Sequence, residues 1–229
     1  MINIYKYMNI YNYIIFIILI IIIIFFYKYE SKHNTKKSNS SFIKNLFWRR
    51  SEKHFIPGNV DIINIKSAIL NAPSAYGIQP FHVIVITNPD IKKKLEAACY
   101  YQSQIQECYC LFIFCAIRNI EDRIDEYVNK TGFYNKKASI INYVNNLYSK
   151  IEWAKRQAYI ALAFGMAAAM EMNIATCPIE SFIPEEIIKI LELENNLEPC
   201  VLLAVGIKKD DYELEKRFRF DNQNIFSLI

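Results

Sequence analysis

The stretch from Asn71 to His82, Asn-Ala-Pro-Ser-Ala-Tyr-Gly-Ile-Gln-Pro-Phe-His, places the tightest limit on what this chain can fold into. Before it, Ile62, Ile65, Ile69 and Leu70 recur at helix spacing, and Pro73 cannot continue that pattern. After Pro80 comes Phe-His-Val-Ile-Val-Ile, β-branched and ended by Asn88-Pro89, which predicts a buried strand. A helix must therefore hand over to a strand through small residues bracketed by two prolines. Such a loop has a restricted path and presents its backbone groups, either as a plain connection or as a ligand contact.

The same patterns run on through the chain. Helices are predicted over 60–70, from Asp90 to Tyr100, over 151–173 and over 184–193; strands over 81–86, 111–116 and 199–206. Residues 119–150 are polar, charged and aromatic with weak periodicity, and read as one or two helices forming a lid. The helix at 151–173 is apolar nearly all round, so it should be buried on most faces. Its small residues permit close approach of another helix, as an extensive dimer interface needs. Residues 217–229 read as an extended tail. This mixture suggests an α+β sandwich without internal repeats.

The N-terminus carries a separate signal. Every residue from Tyr13 to Tyr27 is apolar or aromatic, and 10–29 is interrupted only by Asn12 and Lys28. That span approaches the ~20 residues a bilayer-crossing helix needs, with tyrosines at both edges. Lys6 precedes it, whereas Lys28, Lys32, Lys36, Lys37, Lys44, Arg49 and Arg50 follow, so the C-terminal part is expected on the cytosolic side. The domain plan is then a flank at 1–9, a transmembrane helix at 10–29, a basic polar tether at 30–45 and a folded domain at 46–229. The alternative is a cleaved, organelle-targeting leader.

Composition excludes some classes. The formal charge of +4 is mild, and no basic stripe interleaved with aromatics suggests nucleic acid. The six cysteines include no Cys-x-x-Cys pair and three lie in or beside an apolar strand, so no disulfide framework is expected and a reducing compartment suits them. His33, His54 and His82 have no ligand spacing, so no metal site is expected.

Three more motifs accompany the 71–82 loop. Upstream stands Arg49-Arg50-Ser51-Glu52-Lys53-His54-Phe55; downstream come Cys177-Pro178-Ile179-Glu180-Ser181-Phe182 and Lys216-Arg217-Phe218-Arg219. In this order and spacing the chain resembles the nitroreductase family of FMN-dependent oxidoreductases from about Leu46 to Ile229. The resemblance implies an α/β sandwich with a central mixed sheet flanked by helices, in an intertwined homodimer. It implies FMN as cofactor, NADH or NADPH as electron donor, and a nitroaromatic or quinone-type acceptor reduced by a ping-pong hydride mechanism.

The resemblance also assigns roles to residues. Arg49, Arg50 and Ser51 would hold the FMN phosphate together with Arg217 and Arg219, with Lys216 as a one-residue alternative. A guanidinium fork suits phosphate geometry. Lys53 would stand near the ring's N1 and C2 carbonyl and raise the reduction potential. Pro73, Ser74, Ala75 and Gln79 match a loop that reaches across the dimer to the cofactor. Gly77 departs there from an Asn found in some members, and Ala75 from a second Ser. Pro178, Ile179, Glu180 and Ser181 would pack over one ring face, with the Glu180 N–H directed at flavin N5; Ser181 stands where Gly is frequent. Gln102 would place its amide on the pyrimidine edge. No side chain is needed as acid, base or nucleophile, because the flavin carries the hydride chemistry. There is no Gly-x-Gly-x-x-Gly fingerprint for a separate dinucleotide domain. The alternatives are an iodotyrosine-deiodinase-like dehalogenase, whose Glu-x-x-x-Tyr lid pattern is missing from 119–150, and a non-catalytic flavin-binding protein.

Overall fold

Eight consecutive residues of one strand, Cys110–Ile117, are all buried, and the fold is laid down on both sides of it. The computed structural model describes residues 18–24, 41–210 and 216–229. In chain order the elements are α1 (Ser41–Trp48), β1 (Phe55–Ile56), α2 (Ile63–Leu70), β2 (Phe81–Ile86), α3 (Pro89–Leu95), α4 (Ser103–Glu107), β3 (Cys110–Ile117), α5 (Ile120–Thr131), α6 (Lys137–Asn145), α7 (Lys150–Glu171), β4 (Ala175–Ile179), α8 (Pro184–Leu191), β5 (Leu197–Lys208) and α9 (Asn222–Ile225). The chain divides into two compact units, Met1–Phe47 and Trp48–Ile229.

In the second unit, β3 lies between β2 and β5, β4 pairs with the other side of β5, and β1 pairs with Ile207 and Lys208 at the end of β5. All strand pairs are antiparallel; a parallel contact enters as the isolated bridge Ser51↔Thr176. Period-two alternation splits β3 between two cores. Leu111, Ile113 and Cys115 pack with Leu95, Ile105 and Ile187, while Phe112 and Phe114 pack with Ile65, Ala158 and Ala161 of α2 and α7. A sheet covered on both faces reads in sequence as a continuous apolar run, which is why β2, β3 and β5 are legible. The expected α+β sandwich is the observed fold.

Local signals explain the helix boundaries. Asn88 caps α3, its side-chain oxygen accepting from the N–H groups of Asp90 (2.8 Å) and Ile91 (3.3 Å), with Pro89 in the first turn. Ser149 caps α7 through the Glu152 N–H. Gly165 lets α7 approach α2 closely, since a Cβ there would meet Ile69 Cγ1 at 2.9 Å. The expected lid is two helices, α5 and α6. Ile120, Ile124 and Val128 of α5 join Ile140 and Val144 of α6 in a third core, against Ile78, Trp153 and Ala154. The tail is extended except for the single turn α9.

The single-pass membrane placement, with the catalytic part on the cytosolic side, is corrected. Among the described residues no helix is long and apolar enough to cross a membrane. Of the expected span at 10–29, residues 18–24 are described and helical. At 1.5 Å per residue they reach roughly 10 Å, a third of the ~30 Å hydrocarbon core. The rest of that span and tether residues 30–40 lie outside the described residues; 41–45 belong to α1.

Candidate active site

The two ends of the folded unit meet beside β4. Residues 49–52 run alongside that strand, joined by the Ser51↔Thr176 bridge and by the Glu52 N–H donating to the Thr176 carbonyl (3.0 Å). Residues 216–219 return to the same place. Together they line a cavity of about 270 Å³ made by Arg49, Arg50, Ser51, Lys53, Lys216, Arg217, Phe218 and Arg219. The structure thus brings the sequence-predicted Arg49, Arg50, Ser51, Lys53, Arg217 and Arg219 together, and adds Phe218.

The electrostatics of this pocket ask for an anion. Burial, then the neighbouring Arg219 and Arg50, hold the Arg49 guanidinium below its ordinary pKa; burial, then Arg219, Arg50 and Arg49, do the same to Arg217. The Arg49 Nη1 is buried without a hydrogen-bond partner among the described residues. Nor do Arg49, Lys53, Lys216 or Arg219 pair with a carboxylate among them. Like charges held this close disfavour one another. A ligand with several anionic oxygens would offset that repulsion and satisfy the guanidinium donors through charge-assisted bonds.

β4 carries the chain from this pocket to residues 178–181. Pro178 and Ile179 are in the strand, and Glu180 and Ser181 follow it, both exposed. The carbonyls here are occupied: Ser181 accepts from Gln102 Nε2 (2.7 Å) and Glu180 from the Phe182 N–H (3.1 Å). The Glu180 and Ser181 N–H groups find no acceptor among the described residues. Gln102 is a strut rather than an open amide, since its Nε2 also donates to Cys99 and its oxygen accepts from Gln104.

The 73–79 loop is held elsewhere. Ser74 Oγ accepts from the Gln79 N–H (3.0 Å), the buried Gln157 of α7 accepts from the Ala75 N–H (2.9 Å), and Arg123 Nε donates to the carbonyls of Ile78 and Gln79. Pro73, Ser74, Ala75 and Gln79 do not line the basic cavity of their own chain. Gly77 has φ of +73°, and a Cβ there would meet nothing within 4 Å. Only the left-handed backbone favours glycine at this position, and Asn tolerates that conformation too. The departure at Gly77 therefore leaves the loop's path unchanged.

Sequence reasoning missed four residues that shape these parts. Gln157 follows Lys155 and Arg156 in the polar half of α7, so nothing in the sequence marked it as a buried contact. Arg123 and Tyr159 act through contacts with residues far away in the chain and gave no signal either. Glu52 is 2% exposed, and burial raises its pKa. Its protonated form is thus favoured in the folded state, so stability falls as pH rises from the unfolded carboxyl value through the folded one. Glu52→Gln should raise the melting temperature at neutral pH and leave it unchanged near pH 4. A lower neutral-pH melting temperature would show the carboxylate to be a stabilising partner instead.

A model of the nitroreductase family matches residues 46–207. The chain belongs to the nitroreductase family. A candidate NAD(P)H nitroreductase of Staphylococcus haemolyticus is 29% identical over 162 residues, which are 61% of this chain and 74% of the relative. Among solved structures, a candidate nitroreductase of Bacillus subtilis superposes with a TM-score of 0.75 at 18% identity, over 82% of this chain and 98% of that one. A candidate nitroreductase of Exiguobacterium sibiricum, solved in complex with FMN, has a TM-score of 0.70 at 18% identity, over 85% and 100%. This nitroreductase is accordingly an oxidoreductase, built on the fold its relatives share.

Proposed function

We propose that this nitroreductase binds FMN and uses NADH or NADPH to reduce nitroaromatic or quinone-type acceptors. The carrying observation is the basic cavity: a buried Arg49 Nη1 without a partner among the described residues, pressed by Arg219 and Arg50, fits a phosphate dianion. Arg49, Arg50, Arg217 and Arg219 would supply the guanidinium forks, Ser51 a hydroxyl, and Lys53 a cation toward the ring. Bound FMN would supply two-electron chemistry between the nicotinamide and the acceptor. The chain's own part is to hold the phosphate, fix the 178–181 backbone and offer its two N–H donors to the ring. The chain has no Gly-x-Gly-x-x-Gly fingerprint, so donor and acceptor would take one pocket in turn.

The reading includes a homodimer. Along α7, Ile160 and Phe164 are 37% and 42% exposed, with Ala163 between them exposed as well. An apolar stripe on a long helix favours burial against a second copy, and the 73–79 loop would then serve the partner's cofactor. An anaerobic absorbance spectrum of the purified full chain, before and after NADPH or NADH, is the test. Flavin bands that bleach, and return on adding a quinone or nitroaromatic, are expected. A colourless protein that takes up no added FMN would sink the proposal.

A further inference from the structure

Two consecutive N–H groups with no acceptor among the described residues serve a ligand only if the backbone carrying them is held still. At Glu180 and Ser181 the holding is divided among three neighbours. Gln102 takes the Ser181 carbonyl, and the Ile183 N–H reaches the Ala98 carbonyl at 2.8 Å. The third hold is on the Glu180 side chain. The Tyr159 hydroxyl, half-way along α7, stands 2.8 Å from Glu180 Oε1 and 3.3 Å from the Cys200 carbonyl on β5. Both residues line a second cavity of about 370 Å³, shared with Glu152, Lys155, Arg156 and Cys200. Burial, then the hydrogen bond to Glu180, raises the Tyr159 pKa, so the phenol keeps its proton. Without it, the exposed Glu180 side chain has no other hydrogen-bond donor among the described residues.

We propose that Tyr159 is a positioning residue: by anchoring the Glu180 carboxylate to α7 it fixes the backbone at Glu180 and Ser181, and so sets how strongly those N–H groups favour reduced over oxidised FMN. This rests on the reading that FMN binds here. The Arg-lined cavity is built from other residues, so the two contributions separate. Tyr159→Phe keeps the ring and its packing and removes only the hydroxyl.

The test compares wild type, Tyr159→Phe, Glu180→Ala and the double variant as full chains with two readouts. In flavin-free protein, exchange of the hydrogen-bonded Phe182 and Ile183 amides, followed by mass spectrometry, should speed up about tenfold in Tyr159→Phe. With FMN bound, preference for the reduced form should fall about tenfold, a drop of about 30 mV in a two-electron midpoint potential. Affinity for oxidised FMN should be unchanged. The double variant should be no worse than Glu180→Ala alone, because both remove one interaction, and Glu180→Gln, which keeps an acceptor oxygen, should restore slow exchange. Unchanged exchange and potential in a Tyr159→Phe protein that still binds FMN would overturn the positioning role alone. A wild type that binds no FMN would overturn the reading beneath it as well.

Discussion

Arg49→Ala/Arg219→Ala should emerge from purification without flavin, with FMN affinity about 10² to 10⁴ lower than wild type. Each charge-assisted hydrogen bond contributes about 1.5–3 kcal/mol, and two lost guanidiniums remove about 3–6 kcal/mol at ~1.4 kcal/mol per tenfold. Two controls separate a phosphate cradle from a general defect. Riboflavin, which lacks the phosphate, should bind wild type and variant equally weakly. The flavin-free variant should melt no lower than flavin-free wild type, because Arg49 is disfavoured as a cation by burial and by Arg219 and Arg50. Removing a group whose charged form the fold disfavours relieves strain rather than costing stability. A titration by quenching of FMN fluorescence reads the affinity. Equal FMN affinity in the two proteins would place the phosphate elsewhere.

How far the sequence went can be judged from particular residues. β2 is a run of β-branched and aromatic residues, β3 and the middle of β5 are continuous apolar runs, and Asn88-Pro89 announces its helix, so tertiary structure had little left to decide there. β4 was missed because Ala-Thr-Cys-Pro-Ile is short, weakly β-forming and contains a proline. An edge position tolerates proline, since a strand paired firmly on one side can spare an N–H on the other. The charges of the site were legible by residue type and order, as Arg49, Arg50, Lys53, Arg217 and Arg219 now share one cavity. What holds the site was not legible. Tyr159 with Glu180, and Gln157 with Ala75, meet only after the sheet and α7 are assembled. Gln102 shows the same limit from the other side: its type suited a ligand contact, while its neighbours Cys99, Ser181 and Gln104 occupy the amide. At the N-terminus, hydrophobicity alone predicted a span that no described helix is long enough to make.

Phe112→Ala should come close to unfolding the protein at ordinary temperatures. Phe112 is fully buried, paired with Val85 on β2 and Leu203 on β5, and faces the core formed with α2 and α7. Truncating a buried Phe removes its transfer energy and leaves a cavity, costing about 3–5 kcal/mol. Total stability of a domain is only about 5–15 kcal/mol. At this size each kcal/mol moves the melting temperature by about 2–4 °C, so a fall of about 10 °C or more is expected by calorimetry. Tyr148→Ala is the matched control, an aromatic of similar bulk that lies fully exposed before α7, and should leave the melting temperature where it was. The contrast with the arginine pair decides the division of labour. Whatever fraction of Phe112→Ala remains folded should bind FMN like wild type, since Phe112 does not line the basic cavity. A variant that kept its melting temperature but lost FMN would mean that β3 shapes the site directly, and that the two cores do not separate stability from binding.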